Sequence, residues 1–299
     1  MKKNTLILCG LFVLLLIIAF LVLQKPGEQS ASSASSGSLF TIDSLSVNKI
    51  AIKTQTSSLL LEKRGIEWFV AQPINYKADQ ANIGALISQI KNFEIKGNVS
   101  NKPEKHSVFQ VDQAGTQVKV YEKGTEKAAF ILGKMSASYT ESYVRKLNSP
   151  DSNDVLLIEG ASNYMFTRAV KDWRDKTIFT ASKEGIKEIQ YQYGDTTFAV
   201  AFKDSAWFVG KDKAQQSVVD GILSSLANFQ ADDFIDSAIS PKIMSTIAYC
   251  GAQLRFSFDK TSNKYLVQSS NSPQWFVLDQ WKANQVLKRK KEIVETSKK

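Results

Sequence analysis

Two glycine-lysine pairs are the first residues in this chain whose spacing could serve chemistry. Gly133-Lys134 and Gly210-Lys211 resemble the end of a Walker A phosphate-binding loop, which also requires a glycine five residues before the second one. Ala128 and Ser205 occupy that position here, and neither lysine is followed by serine or threonine. We therefore predict that both pairs are turns at strand ends and that the protein binds no nucleotide cofactor.

Histidine and cysteine are too scarce to suggest a metal centre or a nucleophilic triad. His106 is the only histidine, and Cys9 and Cys250 are the only cysteines. A structural zinc site needs four ligands, usually nitrogen and sulfur, and a serine triad needs a histidine between an acid and a nucleophile. We predict that His106 lies on the polar face of a short helix after Pro103, and that the protein carries no metal and no cofactor.

Aspartates are the remaining candidates for chemistry. Asp232, Asp233 and Asp236 are closely spaced, but their segment lacks the alternating oxygen ligands and the central glycine of an EF-hand. We predict a solvated acidic turn there. The least favoured hypothesis is a hydrolase-like enzyme with Asp79 or Asp175 as acid or base.

The segment Trp173-Arg174-Asp175 lies where two halves of the chain meet. In one interpretation, the planar guanidinium of Arg174 contacts an anion or a protein partner. In the other, which we favour, Trp173 is buried and Arg174 pairs with Asp175, so that Trp173 and Asp175 form the junction between the two halves. Arg174 stays a possible partner contact.

Tryptophan side chains could also form a stacking surface for a ligand. Trp68 and Trp207 fall on the inward side of alternating strands, which predicts packing in the core. Trp281 stands in a less regular segment. We predict that it is the most exposed tryptophan and a possible partner contact.

These residues sit on elements that the hydrophobic periodicity defines. Alternation predicts three strands at the start of each half, within residues 50–70 and 189–209. Ile66 is among the residues expected to be half-buried. Apolar residues at i, i+3, i+4 and i+7 then predict helices over 83–90 and 219–226, the first with Asp79 as its N-cap. Further strands are predicted around 118–121, 128–132, 142–146, 155–158, 254–258, 265–268 and 275–278. Tight connections indicate antiparallel sheets.

The two halves also resemble each other in sequence. Four landmarks correspond in order: 66–70 with 205–209, 85–93 with 221–229, the helical turns expected after Pro103 and Pro241, and 116–120 with 252–256. Self-similarity in a fixed order predicts a duplicated structural unit.

The chain is uncharged and almost wholly apolar from Leu6 to Leu23. At ~1.5 Å per residue this run is about 27 Å long as a helix, close to the ~30 Å hydrocarbon core of a bilayer. Lys2 and Lys3 precede it, so the positive-inside rule predicts that the body lies outside the cytoplasm. A cleaved signal peptide is the alternative, with a cut within 31–34. Its apolar region would usually be shorter and the cut closer.

The net charge of +9 is concentrated near the two ends of the chain. Residues 282–299 contribute +5 and residues 1–28 contribute +2, which leaves about +2 for everything between them. Nucleic-acid binding requires a clustered basic stripe on the folded body. The sequence therefore argues against a nucleic-acid partner.

Several short segments together resemble the bacterial domain-of-unknown-function family 4340. The segments are the basic start and anchor, 67–70, Ala78-Asp79 before a helix, 131–134, 143–145 and 173–176. The resemblance covers residues 47 to about 179, with a weaker echo afterwards. The second half departs from the pattern, because Ala214-Gln215 replaces the Ala-Asp helix start and its last strands lack a Gly-Lys turn. The resemblance implies no established activity. Because members of this family are often encoded beside membrane components of gliding-motility-type ABC transport systems, it suggests an accessory envelope protein.

We predict an α+β protein with an N-terminal transmembrane helix and a duplicated unit of antiparallel β-meander plus packed helices. The predicted parts are an anchor (1–24), a Ser/Ala/Gly linker (25–38), two repeat units (39–180 and 181–287) and a basic tail (288–299). The expected function is a non-catalytic, membrane-tethered extracytoplasmic interaction module. Its expected partners are membrane lipid through residues 6–23 and an ABC-type transport component. The runner-up is a binding module for an envelope polymer or lipid.

Overall fold

The computed structural model describes residues 37–295, and these residues form two compact units that divide between Trp173 and Arg174. The predicted anchor over residues 6–23 and the linker up to residue 36 lie outside the described residues. Within 37–295, no helix combines the length and the apolar character needed to cross a bilayer. The sequence had placed the boundary between the units at 180/181.

The first unit is built on one antiparallel sheet of nine strands, in the order β4-β3-β2-β1-β6-β7-β8-β9-β5. Its strands are β1 (Val47–Lys53), β2 (Ser58–Arg64), β3 (Glu67–Gln72), β4 (Tyr76–Lys77), β5 (Glu94–Ser100), β6 (Thr116–Glu122), β7 (Thr125–Met135), β8 (Glu141–Lys146) and β9 (Val155–Glu159). Its helices are α1 (Gln80–Lys91), α2 (His106–Phe109) and α3 (Asn163–Thr167), with 3-10 turns at Pro103–Lys105 and Val170–Trp173.

The second unit repeats this plan with a nine-stranded antiparallel sheet in the order β14-β13-β12-β11-β17-β18-β19-β20-β16. Its strands are β11 (Glu188–Tyr193), β12 (Thr197–Lys203), β13 (Ala206–Val209), β14 (Asp212–Lys213), β16 (Asp233–Ile235), β17 (Ser245–Tyr249), β18 (Ala252–Asp259), β19 (Lys264–Ser269) and β20 (Trp275–Leu278). Its helices are α4 (Gln216–Ala227), α5 (Gln280–Val286) and α6 (Lys290–Ile293). Strands β10 (Thr177–Thr180) and β15 (Asn228–Gln230) form a separate antiparallel pair, and a 3-10 turn spans Lys183–Gly185.

The two sheets therefore have the same topology. Four strands run as a meander, a twelve-residue helix crosses back, one strand pairs at the far edge, and four more strands fill the gap. The predicted antiparallel α+β class is confirmed. The shared strand order also agrees with the internal similarity in the sequence.

Helix α1 forms for the reasons that the sequence indicated. The Asp79 carboxylate accepts a hydrogen bond from the Asn82 backbone N–H at 2.9 Å, which satisfies one of the unpaired donors of the first turn. The apolar stripe expected over residues 83–90 is buried. In the second unit, α4 buries the corresponding stripe but has Gln215 as an N-cap without a side-chain hydrogen bond.

The core of the first unit is closed by aromatic rings on one face of its sheet. Phe130 of β7 packs against Phe93, which follows α1, and against Phe166 of α3, with ring centroids 5.7 and 6.2 Å apart. Burying each ring removes a large apolar area from water. The helices are thus held to the centre of the sheet.

Three predictions about the repeats are wrong in detail. Pro241 opens no helical turn, because residues 241–244 have no regular structure. Strand β17 was missed. Since β6 pairs with β1 and β17 pairs with β11, the counterpart of residues 116–120 is β17 and not residues 252–256.

Two single residues also differ from the prediction. Ile66 is 90% exposed, because it lies in the β2–β3 hairpin turn after Gly65 and not in the alternating part of the strand. Gly133 lies inside β7 and not at a strand-end turn. A Cβ there would lie 2.3 Å from the Phe109 carbonyl oxygen, so glycine lets α2 pack on the strand. Gly210 does form a turn, with φ +64°.

Candidate functional site

No cluster of side chains that could hold a metal ion is found among residues 37–295. In this range, no three histidine, cysteine or acidic side chains lie close enough to hold a metal ion. His106 begins α2, where its Nε2 lies 2.9 Å from the Asn153 carbonyl oxygen. Cys250 is exposed and carries no disulfide. The features described below are side-chain clusters and surfaces of the two units.

Arg174 is buried and makes several contacts inside the second unit. Its guanidinium donates to Asp236 Oδ1 at 2.7 Å and to Gln274 Oε1 at 3.1 Å. The same group lies 3.7 Å from the centroid of the Phe234 ring, a cation–π distance. Burial at 2% exposure means that Arg174 has little surface to offer a partner in this structure.

Asp236 thus accepts an ion pair that the sequence analysis had assigned to Asp175. The Asp175 carboxylate instead accepts a hydrogen bond from the Thr177 backbone N–H at 2.9 Å, which is an Asx turn before β10. No spacing rule links Arg174 to Asp236, which is 62 residues away. Only the folded sheet, with Asp236 directly after β16, brings the two together.

Trp173 belongs to the core of the first unit. It is almost fully buried, and its carbonyl oxygen accepts a hydrogen bond from the Asp79 backbone N–H at 2.8 Å. Arg168 lies over its ring at 5.0 Å. The predicted burial of Trp173 is confirmed. Its role as a junction with the second unit stays a prediction.

Asp79 has a structural function in this arrangement. Its side chain caps α1 and its backbone holds the carbonyl of Trp173. The Asn82 amide reinforces the contact by donating to the Asp172 carbonyl oxygen at 3.1 Å. These contacts place Asp79 at the structural start of α1.

Trp281 is the exposed tryptophan, as expected, whereas Trp68 and Trp207 are buried. It is the second residue of α5 and 60% exposed. Its ring borders a shallow depression of about 260 Å³, which is lined by Ser225, Asn228, Phe229, Gln230, Trp281, Lys282 and Gln285. Lys282 lies over the ring at 5.7 Å and also pairs with Asp232, so the depression carries little net charge.

The aspartates at 232–236 act as structural anchors and not as a simple solvated turn. Asp232 accepts hydrogen bonds from Lys282 and from the backbone N–H of Asp279, which is 2.8 Å away. Asp236 holds Arg174. Strand β16 runs through residues 233–235 of this segment.

The segment that we predicted to begin a basic tail at Lys288 is folded up to residue 295. Arg289 pairs with Asp195 at 2.6 Å and lies 3.9 Å from the centroid of the Tyr193 ring. The Tyr193 hydroxyl donates to the Lys288 carbonyl oxygen at 2.9 Å. Burial raises the pKa of the Tyr193 phenol to about 12, although Arg289 acts in the opposite direction.

The profile of a domain of unknown function, DUF4340, matches residues 68–246, which is more than half of the chain. The chain belongs to the DUF4340 family. No curated protein and no solved structure matches it.

The DUF4340 match begins in β3 of the first unit and ends in β17 of the second. It therefore includes both twelve-residue helices and the segment from Trp173 to Asp175. The resemblance found in the sequence is confirmed, and it reaches further into the second half than expected. What defines DUF4340 is consequently spread over both units.

Sequence reasoning missed two exposed tyrosines in the first unit of this DUF4340 protein. Tyr139 lies in the β7–β8 hairpin and Tyr164 lies in α3. Both are largely exposed. A signal was present for the first, because Tyr139 is the one large side chain in the otherwise small, polar stretch of residues 136–140.

Proposed function

We propose that this protein is a non-catalytic interaction module, tethered to a bacterial cytoplasmic membrane and exposed on its outer side. The observation that carries the proposal is the uncharged run from Leu6 to Leu23, followed by a Ser/Ala/Gly-rich segment and a folded body. Such a run prefers hydrocarbon to water. The two lysines before it favour an inside N-terminus.

Within residues 37–295, the ionisable side chains considered above have structural partners. Asp79 caps a helix, Asp236 holds a buried arginine, and His106 contacts a carbonyl. This supports an interaction role over a hydrolase that uses Asp79 or Asp175. The duplicated α+β unit supplies two broad sheets with short edges, which suits contacts with another macromolecule.

We further propose that the partner is a component of an ABC-type envelope transport system. This step rests on the DUF4340 family resemblance. Purification of the full chain in mild detergent should bring down a transport component from the native membrane. Recovery of the chain alone, under conditions that preserve membrane complexes, contradicts the proposal.

The membrane tether is tested separately by alkaline carbonate. The full chain should stay with the vesicles, because its attachment depends on about 18 apolar residues and not on charge. A matched variant with Leu14→Lys and Leu15→Lys in the run should be released or fail to insert. Release of the unaltered chain contradicts the proposed anchor.

A second candidate function is binding of an envelope polymer, and the depression beside Trp281 favours it. An exposed indole next to serine, asparagine and glutamine side chains can stack on a sugar ring and donate hydrogen bonds to its hydroxyls. Soluble glycan fragments should raise the melting temperature of the full chain and quench Trp281 fluorescence. Trp281→Ala should abolish both effects, whereas Trp207→Phe, at a buried ring, should leave both in place.

A further inference from the structure

One end of the first unit exposes three large side chains, Met135, Tyr139 and Tyr164, which we name the tyrosine surface. Tyr139 is 76% exposed, Tyr164 is 65% exposed and Met135 is 37% exposed. All three lie at or beside the end of β7. Exposed tyrosines in such a group are typical of interaction surfaces.

The hairpin that presents Tyr139 is held by its own hydrogen bonds. The Ser136 backbone N–H donates to the Glu141 carbonyl oxygen at 2.9 Å. The Ser138 hydroxyl lies 2.7 Å from that of Ser136 and donates to Glu141 Oε2 at 3.2 Å. The loop therefore presents the Tyr139 ring from an ordered base.

Tyr139 has a backbone conformation that is unfavourable for tyrosine. Its φ is +60°, in the left-handed region that glycine and asparagine adopt more readily than an aromatic residue. Folding alone would favour a smaller residue at this position. A strained and exposed aromatic residue points to a function outside the fold.

Tyr164 is fixed at the same end of the sheet. Its neighbour Asn163 accepts a hydrogen bond from the Ser142 hydroxyl and donates to the Gly133 carbonyl oxygen, both at 2.7 Å. These contacts tie the start of α3 to β7 and β8. The two tyrosines therefore move with one rigid body.

The described chain begins at this end of the sheet. Ser38 pairs with Glu94, Glu94 pairs with Glu159, and Glu159 pairs with Glu141, which closes the Tyr139 hairpin. Three steps between neighbouring strands amount to about 14 Å. Thirteen residues separate Leu23 from Gly37, which corresponds to a root-mean-square reach of roughly 20 Å for a flexible linker.

We propose that the tyrosine surface docks into the headgroup region of the bilayer that residues 6–23 enter. Tyrosine favours this region because its ring is apolar and its hydroxyl stays hydrated. The short distance from Gly37 keeps the surface close to the lipid. This inference rests on the proposed membrane tether and adds a preferred orientation for the first unit.

Charges of both signs lie around this end, because the exposed Lys134 precedes Met135 and the Arg168 guanidinium lies 5.5 Å from the centroid of the Tyr164 ring. Lys96 is paired with both Glu94 and Glu159, at 3.2 and 2.5 Å. Glu141 adds a further negative charge within the hairpin. Docking should therefore occur on uncharged phosphatidylcholine, and added anionic lipid should not strengthen it.

The opposite end of the same sheet provides an internal control. Leu45 and Ile66 are 86% and 90% exposed. Leu45 precedes β1 and Ile66 lies in the β2–β3 turn, both at the end of the sheet where β7 starts. Eleven residues of β7 place this end about 30 Å from the tyrosine surface. If exposed apolar side chains were sufficient for docking, both ends of the sheet would contact lipid equally.

The test uses the full chain in phosphatidylcholine vesicles that contain a lipid with a spin label near its headgroup. A fluorophore is attached at Ala137→Cys or at Leu45→Cys, in a Cys9→Ala, Cys250→Ser background. We expect clearly stronger quenching at position 137. Tyr139→Asn with Tyr164→Asn should lower the docked-to-undocked ratio about tenfold, since each partly buried ring contributes roughly a threefold factor.

Equal quenching at positions 137 and 45, or quenching that the tyrosine variants leave unchanged, overturns the docking proposal. Carbonate extraction of the same vesicles distinguishes this result from failure of the tether. A chain that resists extraction but shows equal quenching lacks the docking surface only. A chain that carbonate releases lacks the anchor, and both proposals are then rejected.

Discussion

At position 139, the backbone conformation and the proposed function of the side chain favour different amino acids. Tyr139→Asn should raise the free energy of unfolding by about 0.5–1 kcal/mol, because asparagine tolerates positive φ better. Urea denaturation of the full chain in detergent measures this. Tyr164→Asn, at a helical position, should give no gain. A less stable Tyr139→Asn protein would show that the ring contributes to folding.

Arg174 depends on a carboxylate that approaches from a distant part of the sequence. Asp236→Asn should lower the stability of the second unit by about 1 kcal/mol, since the charge of a half-exposed acceptor for the buried guanidinium is removed. The shift in denaturation midpoint measures the loss. Glu295→Gln breaks an exposed pair with Lys213 and should change stability by under about 0.5 kcal/mol. Similar effects for both variants would contradict this account.

The stability of a helix depends on how its ends are capped, and Asp79 is the N-cap of α1. Asp79→Ala should destabilise the first unit by about 1 kcal/mol, because the Asn82 N–H loses its acceptor. Asp79→Ser should retain most of the stability, since serine is also an effective cap. Thermal unfolding compares the two variants. If both lose stability equally, the carboxylate has a function other than capping.

Glu126, in strand β7, makes contacts whose strength depends on pH. The Asn148 amide and the Lys119 ammonium hold the pKa of Glu126 below its ordinary value. A lowered pKa in the folded state adds stability above about pH 4.5, and this is lost as the pH falls through the folded value. Glu126→Gln should therefore flatten the acid side of the melting-temperature curve. Glu104→Gln, in an exposed 3-10 turn, should leave that curve unchanged.

The whole molecule should have its body on the outer side of the membrane. Alkaline phosphatase fused after residue 299 should be active, and a fluorescent protein that matures only in the cytoplasm should be dark, because Lys2 and Lys3 stay inside. Replacing both lysines with glutamate should lower the fraction with this topology. A fluorescent fusion of the unaltered chain would reverse the proposed orientation.

For the molecule as a whole, local patterns in the sequence predicted most of the fold. The differences between prediction and structure arise where contacts are distant in sequence. The alternating residues and the stripe over 83–90 depend only on neighbours, so they could be identified in advance. The partner of Arg174 depends on 62 intervening residues. Ile66 was misassigned because it lies in the β2–β3 turn, where the alternation of a strand no longer determines the side on which a residue points. For the candidate surfaces, exposure of Trp281 was predictable, whereas the grouping of Tyr139 with Tyr164 required the strand order.

The strand edges of the two sheets limit edge-to-edge pairing between separate copies of the chain. Three of the four outer strands, β4, β14 and β16, are only two or three residues long. The fourth, β5, has its first residues covered by Gly37–Leu39, and Val294 likewise bridges Ala214 beside β14. Unpaired edges template aggregation when they are long and open. The segments around Gly37 and Val294 thus cover strand edges that would otherwise be open. Tags fused near either segment should be separated from Gly37 and Glu295 by spacers.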